Sequence, residues 1–217
     1  MKSKKSTGPE NISVSFLKTY ATSLTIPLTT LINQSLSKGV FPSNLKIAKI
    51  IPIFKKDDLH LFDNYRPISL LPAISKIYEK TVHIQLLNYF TTNKLLYTHQ
   101  YGFRPDHSTE LAALELTDQI FSLLDQGKHP FAIFIDLSKA FDTINHTILL
   151  HKLQHYGITG IELQWFSSYL TERTQFTRYK NTDSSANQIT TGVPQGSILG
   201  PLLFLIYMND IQHASLF

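Results

Sequence analysis

The sequence contains no cysteine, and that absence removes disulfides, thiolate zinc sites and a thiol nucleophile together. It also lacks a long apolar run. The longest, Ile198 to Met208, is interrupted by Gly200 and Pro201 and falls well short of the roughly 20 residues a bilayer span needs, so it reads as a buried helix and no membrane partner is expected. No repeat period is visible. The basic start Met1-Lys2-Ser3-Lys4-Lys5-Ser6 leads into Thr7-Gly8-Pro9-Glu10 and not into an apolar segment, which excludes the pattern of a secretory signal. Glycine is sparse and proline ordinary, 9 and 10 in 217 residues, and 42% hydrophobic with 17% charged residues is the composition of a folded chain. Twenty Lys and Arg against 16 Asp and Glu leave a net charge of +4, which favours polyanionic partners without establishing one.

Residues 1–11 read as a flexible lead-in. Leu17, Leu24, Leu28, Leu31, Ile32 and Leu36 then recur at helical spacing up to a stop at Gly39, giving one amphipathic helix or two. Lys46 to Phe54 is short, apolar and β-branched, a strand pattern, and is followed by the polar turn Lys55-Lys56-Asp57-Asp58. A helix is expected from Ile74 to Phe90, and a loop at 99–108 around Gly102 and Pro105. Ser108 or Thr109 caps the next helix, in which Leu111, Leu114, Leu116, Ile120, Leu123 and Leu124 form a core stripe ending at Gly127. Phe131-Ala132-Ile133-Phe134-Ile135 is the strongest strand pattern in the chain, closed by the charge of Asp136. Helices follow at Asn145 to Tyr156, with Gly157 beyond it, and at Gln164 to Leu170. Residues 173–191 are polar and read as a hairpin. Mixed strands and helices make the fold class α+β.

Asp136, at the end of a buried strand, is placed to hold a hard cation such as Mg²⁺, which takes one or two carboxylates plus substrate phosphates. Spacing alone favours the plainer reading, an aspartate capping the Ser138-Lys139-Ala140-Phe141 turn. His151 and His155 stand four apart on a helix, a spacing that ligates zinc, but no Glu, Asp or Cys completes the set nearby, and a solvated helix face is the better reading.

The longer strings decide between these alternatives. Phe134-Ile135-Asp136-Leu137-Ser138-Lys139-Ala140-Phe141-Asp142-Thr143-Ile144 resembles the first palm motif of the reverse transcriptases of LINE-like (non-LTR) retrotransposons. Gly192-Val193-Pro194-Gln195-Gly196-Ser197-Ile198-Leu199-Gly200-Pro201-Leu202-Leu203-Phe204 resembles their second palm motif, in the expected order. Asn64-Tyr65-Arg66-Pro67-Ile68-Ser69-Leu70-Leu71, and Gln100-Tyr101-Gly102-Phe103-Arg104 with Ser108-Thr109, are similar to their fingers motifs. Lys5-Ser6-Thr7-Gly8-Pro9 resembles the segment just before them. Together these cover essentially the whole chain.

The resemblance implies a partial right-hand polymerase: residues 1–39 as a helical lead-in, and 40–217 as fingers with an incomplete palm and no thumb. The activity implied is that of an RNA-directed DNA polymerase, which adds deoxynucleotides to a primer 3′-hydroxyl by two-metal phosphoryl transfer with Mg²⁺, or Mn²⁺ in its place. By residue-for-residue match, Asp136 is the first metal-binding aspartate and the Leu137 backbone carbonyl a further ligand. Lys55, Lys56 and Arg66 approach the triphosphate, Phe141 lies under the incoming sugar, and Gln195 and Gly196 abut the nascent base pair. Gln100, Gly102, Phe103 and Arg104 match the template-gripping motif, where an aromatic beside an arginine suits stacking plus phosphate contact; a surface loop has similar wording. The partners implied are an RNA template, a DNA primer and deoxynucleoside triphosphates, in a ribonucleoprotein that assembles in the cytoplasm and acts on nuclear DNA. The family's aromatic-x-Asp-Asp hairpin does not occur before Phe217, and Asn209-Asp210-Ile211 looks like the end of the helix preceding it. The chain alone is therefore expected not to polymerise. The competing reading is a basic RNA-binding remnant of a decayed element; group II intron and telomerase-type polymerases share the palm chemistry but not the wording of the fingers motifs.

Overall fold

The computed structural model describes residues 7–213; residues 1–6, which carry the basic start and half of the expected lead-in, and residues 214–217 lie outside it. The β-branched run forms strand β1 (Ile47–Phe54), with Ala48 and Ile50 turned into the core. It pairs antiparallel with β2 (Tyr65–Leu70) and parallel with β3 (Arg173–Tyr179). Two short strands, β4 (Thr182–Asp183) and β5 (Asn187–Ile189), return antiparallel along β3, as a hairpin over 173–191 requires. The result is one mixed five-stranded sheet among the described residues. Pro52 stands directly opposite Pro67, at a position where β1 has already parted from β3, so neither missing N–H interrupts the three-strand part of the ladder.

The described residues also form seven α-helices: α1 (Val14–Thr19), α2 (Ala21–Lys38), α3 (Ala73–Thr92), α4 (Thr109–Asp125), α5 (His146–His155), α6 (Gly160–Leu170) and α7 (Gly200–Met208). The principal core joins α3 (Tyr78, Val82, Leu86, Phe90) to α5 (Leu149, Leu153), α6 (Trp165, Tyr169) and α7 (Leu203, Ile206). Helix α7 is apolar all round and sits inside this core, as the interrupted apolar run implied. Phe41 fills the centre, its ring edge-on to Tyr78, Trp165 and Tyr169 at 5.9, 5.5 and 5.1 Å. Trp165 donates from its indole N–H to Ser35 Oγ at 3.0 Å, which ties α2 to α6.

Three sequence-based expectations are corrected. Residues 7–11 are not a loose lead-in: Thr7 bridges to Ser13, the Gly8 carbonyl accepts from Lys49 Nζ at 3.3 Å, and Glu10 Oε1 accepts the Ala73 N–H at 2.7 Å. Glu10 thereby caps α3, whose own cap position is held by Pro72, a residue without a capping side chain. The second correction concerns Phe131 to Ile135, which forms no strand. Its apolar side chains face solvent, Phe131 exposed by 86% and Phe134 by 82%. Propensity supplies half of a strand and a hydrogen-bonding neighbour the other half, and among the described residues no strand lies beside it. Third, α4 forms where its cap predicts, with Ser108 Oγ accepting the Leu111 N–H at 3.3 Å, yet none of its residues is buried. Its leucine stripe is a real amphipathic face that nothing in the described structure covers.

Candidate functional site

The loop between β5 and α7 is built into the fold from three sides. On one side the Gly192 N–H donates to the Ile144 carbonyl at 2.7 Å and the Val193 N–H to the Phe141 carbonyl at 2.9 Å. His146 Nε2 lies 2.7 Å from the Gly192 carbonyl oxygen, an acceptor only, so this ring nitrogen carries the proton. Gly192 has φ +80°, and a Cβ there would lie 2.7 Å from Asp142 Cα, so the two chain segments approach as closely as backbones can. On the second side the Ser69 N–H of β2 donates to the Gln195 carbonyl at 3.1 Å. Gly196, at φ +114°, presses against the Ser69 carbonyl, which a Cβ would meet at 2.8 Å. From the third side α3 reaches the Ile198 N–H through the Glu79 carboxylate, at 2.6 Å.

Held in this way, Gln195 lies on the wall of a cleft of about 1120 Å³ between the loop and the outer part of the sheet. Arg66, Pro67, Lys139, Asp142 and Tyr179 share that wall. The Gln195 amide donates to both oxygens of Asp142, at 3.0 and 3.1 Å, bridging the two palm-like motifs. Two cations, Arg66 and Lys139, share the cleft with two carboxylates, Asp63 and the already hydrogen-bonded Asp142, so the wall carries both signs of charge and its cations are the groups able to meet a phosphate. Of the residues expected to bind nucleotide, the structure brings Arg66 and Gln195 onto one cleft wall; Gly196, next in the chain, is turned against Ser69, and Phe141 is not among the lining residues. Lys55 and Lys56 stand apart on the exposed β1–β2 connection, where Lys56 Nζ approaches Asp57 at 3.9 Å and neither side chain lines the cleft.

Phe141 is half-buried. Its ring lies 4.9 Å from that of Phe204 and 5.6 Å, edge-on, from that of Phe103. One expected template residue and the expected sugar-facing residue therefore belong to a single aromatic cluster. Gln100 donates from its amide to the Gly102 carbonyl at 3.2 Å. Arg104 Nη1 is surrounded by the carbonyls of Tyr97, Thr98 and Gln100 at 2.9, 3.4 and 3.2 Å, which makes this arginine a brace for its own loop. The loop is further fixed by Asn209, which accepts the Tyr97 N–H and donates to the Leu95 carbonyl, both at 2.8 Å. At its far end the Tyr101 hydroxyl and His99 Nδ1 both meet the Glu115 carboxylate on α4. The Tyr101 hydrogen bond holds the Glu115 carboxyl below its usual range, and Glu115 in turn pushes the Tyr101 phenol up.

Asp136 and Leu137 lie in the exposed segment before this cluster and not on the cleft wall. A hard divalent cation takes six or so oxygen ligands. Among the described residues no three His, Asp or Glu side chains come together to hold an ion, so the residues present do not by themselves fit a catalytic metal. His151 and His155 are exposed on α5, beside Lys152 and Asp210. The residues missed from sequence are Lys139, Asp142, Asn209 and Glu79. Glu79 alone carried a legible signal: a charge set directly beside Tyr78 and one turn from Ser75 and Val82 on a face that is otherwise buried.

The model of the family Reverse transcriptase (RNA-dependent DNA polymerase) matches residues 53–215. The chain is 34% identical over 215 residues to the probable RNA-directed DNA polymerase from transposon BS of Drosophila melanogaster, covering 96% of this chain and 23% of that protein. It is 33% identical over 185 residues to the RNA-directed DNA polymerase from mobile element jockey of the same organism, covering 85% of this chain and 20% of that protein. Across the Pol polyprotein of retrotransposable element R2 of Popillia japonica the identity is 27% over 177 residues, 81% of this chain and 24% of that protein. The chain therefore spans less than a quarter of the length of these relatives.

Proposed function

Because the chain belongs to the reverse transcriptase (RNA-dependent DNA polymerase) family, we propose that it forms the fingers and part of the palm, over 40–217, of an RNA-directed DNA polymerase of a non-LTR retrotransposon, with 1–39 as its helical lead-in. The observation that carries this reading is the cleft whose wall Arg66 and Lys139 share with Gln195. In it the two cations hold the triphosphate of an incoming deoxynucleotide, with Lys55 and Lys56 adding long-range attraction from the adjacent connection. Gly196, whose missing Cβ lets the loop pack against the Ser69 carbonyl, abuts the nascent base pair in this reading together with Gln195. Phe141 packs against Phe103 and Phe204, and in this reading its ring lies under the incoming sugar, where contact excludes a 2′-hydroxyl. Gln100, Gly102, Phe103 and Arg104 shape the loop along which the RNA template runs, with Phe103 as its exposed stacking surface.

A divalent cation, Mg²⁺ or Mn²⁺, belongs to the whole enzyme in this reading, with Asp136 and the Leu137 carbonyl as part of its ligand set. Asp136 belongs to no group of three ligating side chains among the described residues, and in this reading the 217-residue chain does not polymerise by itself. The place of action follows from the same reading: a ribonucleoprotein formed in the cytoplasm that meets its DNA in the nucleus.

The test is primer extension on an RNA template by a polymerase containing this chain. Asp136→Ala is expected to abolish incorporation, and Arg66→Ala to raise KM for deoxynucleotide by about tenfold, the usual loss when one charge-assisted contact is removed. Incorporation that survives Asp136→Ala would sink the reading. A second reading, a basic RNA-binding remnant of a decayed element, draws on the lack of any three-ligand cluster around Asp136 among the described residues; it keeps salt-sensitive RNA binding and never incorporates nucleotide.

A further inference from the structure

The least expected side chain in the fold is Glu79. It lies on the inward face of α3 with no exposure to solvent, a place that a carboxylate occupies only when its lone pairs and its charge are answered. Ser75, one turn earlier, donates its hydroxyl to Oε1 at 3.0 Å, and the Ile198 N–H donates to Oε2 at 2.6 Å. Arg173, exposed by 1% at the start of β3, supplies the opposite charge at a distance too great for direct contact. Its guanidinium lies 4.9 Å over the Tyr169 ring and 5.9 Å from the Phe41 ring, and Nη1 donates to the Tyr169 carbonyl at 3.0 Å. Burial pushes the Glu79 carboxyl up, and the Ile198 N–H, the Arg173 charge and the Ser75 hydroxyl pull it back.

What this carboxylate grips is the downstream end of the loop that faces the cleft. The Pro194–Ser197 turn closes through the Ser197 N–H on the Pro194 carbonyl at 3.0 Å, and Ser197 Oγ accepts the Gly200 N–H at 3.0 Å where α7 begins. Ile198 sits between those two fixed points. Ser69 holds the loop at Gln195, and Glu79 holds it three residues later, so the loop has no free end on which to slide.

We propose that Glu79 is a positioning residue for the Gln195–Gly196 loop: its buried carboxylate, charge-balanced by Arg173, sets through the Ile198 N–H the height at which the loop meets a bound nucleotide. The kinetic consequence rests on the polymerase reading; the hold on Ile198 does not. A merely structural glutamate would move stability everywhere, whereas this one moves the loop first.

Residue-resolved amide hydrogen exchange on the 217-residue chain tests the hold directly. Glu79→Met keeps the volume and removes the acceptor; Ile198 is expected to exchange at least about tenfold faster, as the loss of a charge-assisted hydrogen bond implies, while Ile50 in β1 keeps its protection. Glu79→Gln, whose amide oxygen still accepts, is expected to restore slow exchange at Ile198. Should Glu79→Met not fold, Ser75→Ala removes only the hydroxyl that steadies Oε1 and is expected to speed Ile198 severalfold. Wild-type exchange at Ile198 in a folded Glu79→Met, or in Ser75→Ala, overturns the inference. In a polymerase containing this chain, Glu79→Met is expected to raise KM for deoxynucleotide by about tenfold with kcat changed less, and Glu79→Gln to recover most of it. A fall in kcat at unchanged KM overturns the positioning role. A wild-type polymerase that incorporates nothing would instead count against the functional reading, and the exchange result would stand on its own.

Discussion

Phe41 and Phe62 show how little residue type says without position. Phe41 is 1% exposed and closed in by Tyr78, Trp165 and Tyr169, whereas Phe62 is 93% exposed in the β1–β2 connection. Phe41→Ala is expected to cost about 3–5 kcal/mol in chemical denaturation, the range for emptying a buried ring site, and Phe62→Ala less than about 0.5 kcal/mol. Gly196 is the opposite case, a residue defined by what it lacks. With φ +114° and the Ser69 carbonyl 2.8 Å from any added Cβ, Gly196→Ala should destabilise the chain by about 1–3 kcal/mol and shift the loop away from β2. The denaturation midpoint and the exchange rate of the Ser69 amide report the two effects separately.

Most elements could be read from the sequence because their signals are local. Ser108 announced α4, the β-branched run announced β1, and Gly39, at φ +64°, ended α2 where the pattern stopped. The failures share one cause: burial is a property of pairs, and a single segment does not record its partner. Phe131 to Ile135 has the composition of a central strand and stands without a neighbouring strand among the described residues, and α4 has a leucine face with nothing on it. Both surfaces are expected to bind an apolar fluorescent dye in the native protein; Phe134→Asp should reduce that signal while leaving the thermal midpoint within a degree or two, since an exposed side chain carries little stability. The Glu115 contacts add a pH dependence at the same scale. Its folded-state pKa is depressed, so the stabilisation is present above the ordinary carboxyl range and is lost as pH falls through the lowered value. Acid should therefore release the 99–108 loop from α4, seen as faster proteolysis there, and Glu115→Gln should make that rate insensitive to pH in the same window.

For the whole molecule, charge is the property that acts at a distance. Lys55, Lys56 and Arg66 are all exposed, the lysines directly following β1 and Arg66 near the start of its partner strand β2, in a chain of net charge +4. If about three phosphates are neutralised on a single-stranded RNA, the logarithm of affinity should fall with the logarithm of salt at a slope near −2, roughly a tenfold to twentyfold loss between 50 and 200 mM. A filter-binding titration at several salt concentrations measures the slope, and a flat line would show that these cations do not meet the backbone. The site as a whole was legible only in part: the motif strings located Arg66 and Gln195, but their junction with Lys139 and Asp142 depends on β2, the turn before α5 and the loop before α7 arriving at one place.

The parallel pairing of β1 with β3 also sets a clock. Ile47 and Thr174 are neighbours in the sheet and roughly 130 residues apart in the chain, so at about 5–20 residues per second the ribosome delivers β3 some 7–25 s after β1. Over that interval β1 and β2 can close as a hairpin, but the inner edge of β1 waits with its backbone groups unmatched, open to any other extended chain nearby. The cleft cannot exist before the edge is filled, because Thr177 and Tyr179 of β3 form part of its wall. Nascent protein is thus most vulnerable to mispairing during the very period in which it has no cleft to protect.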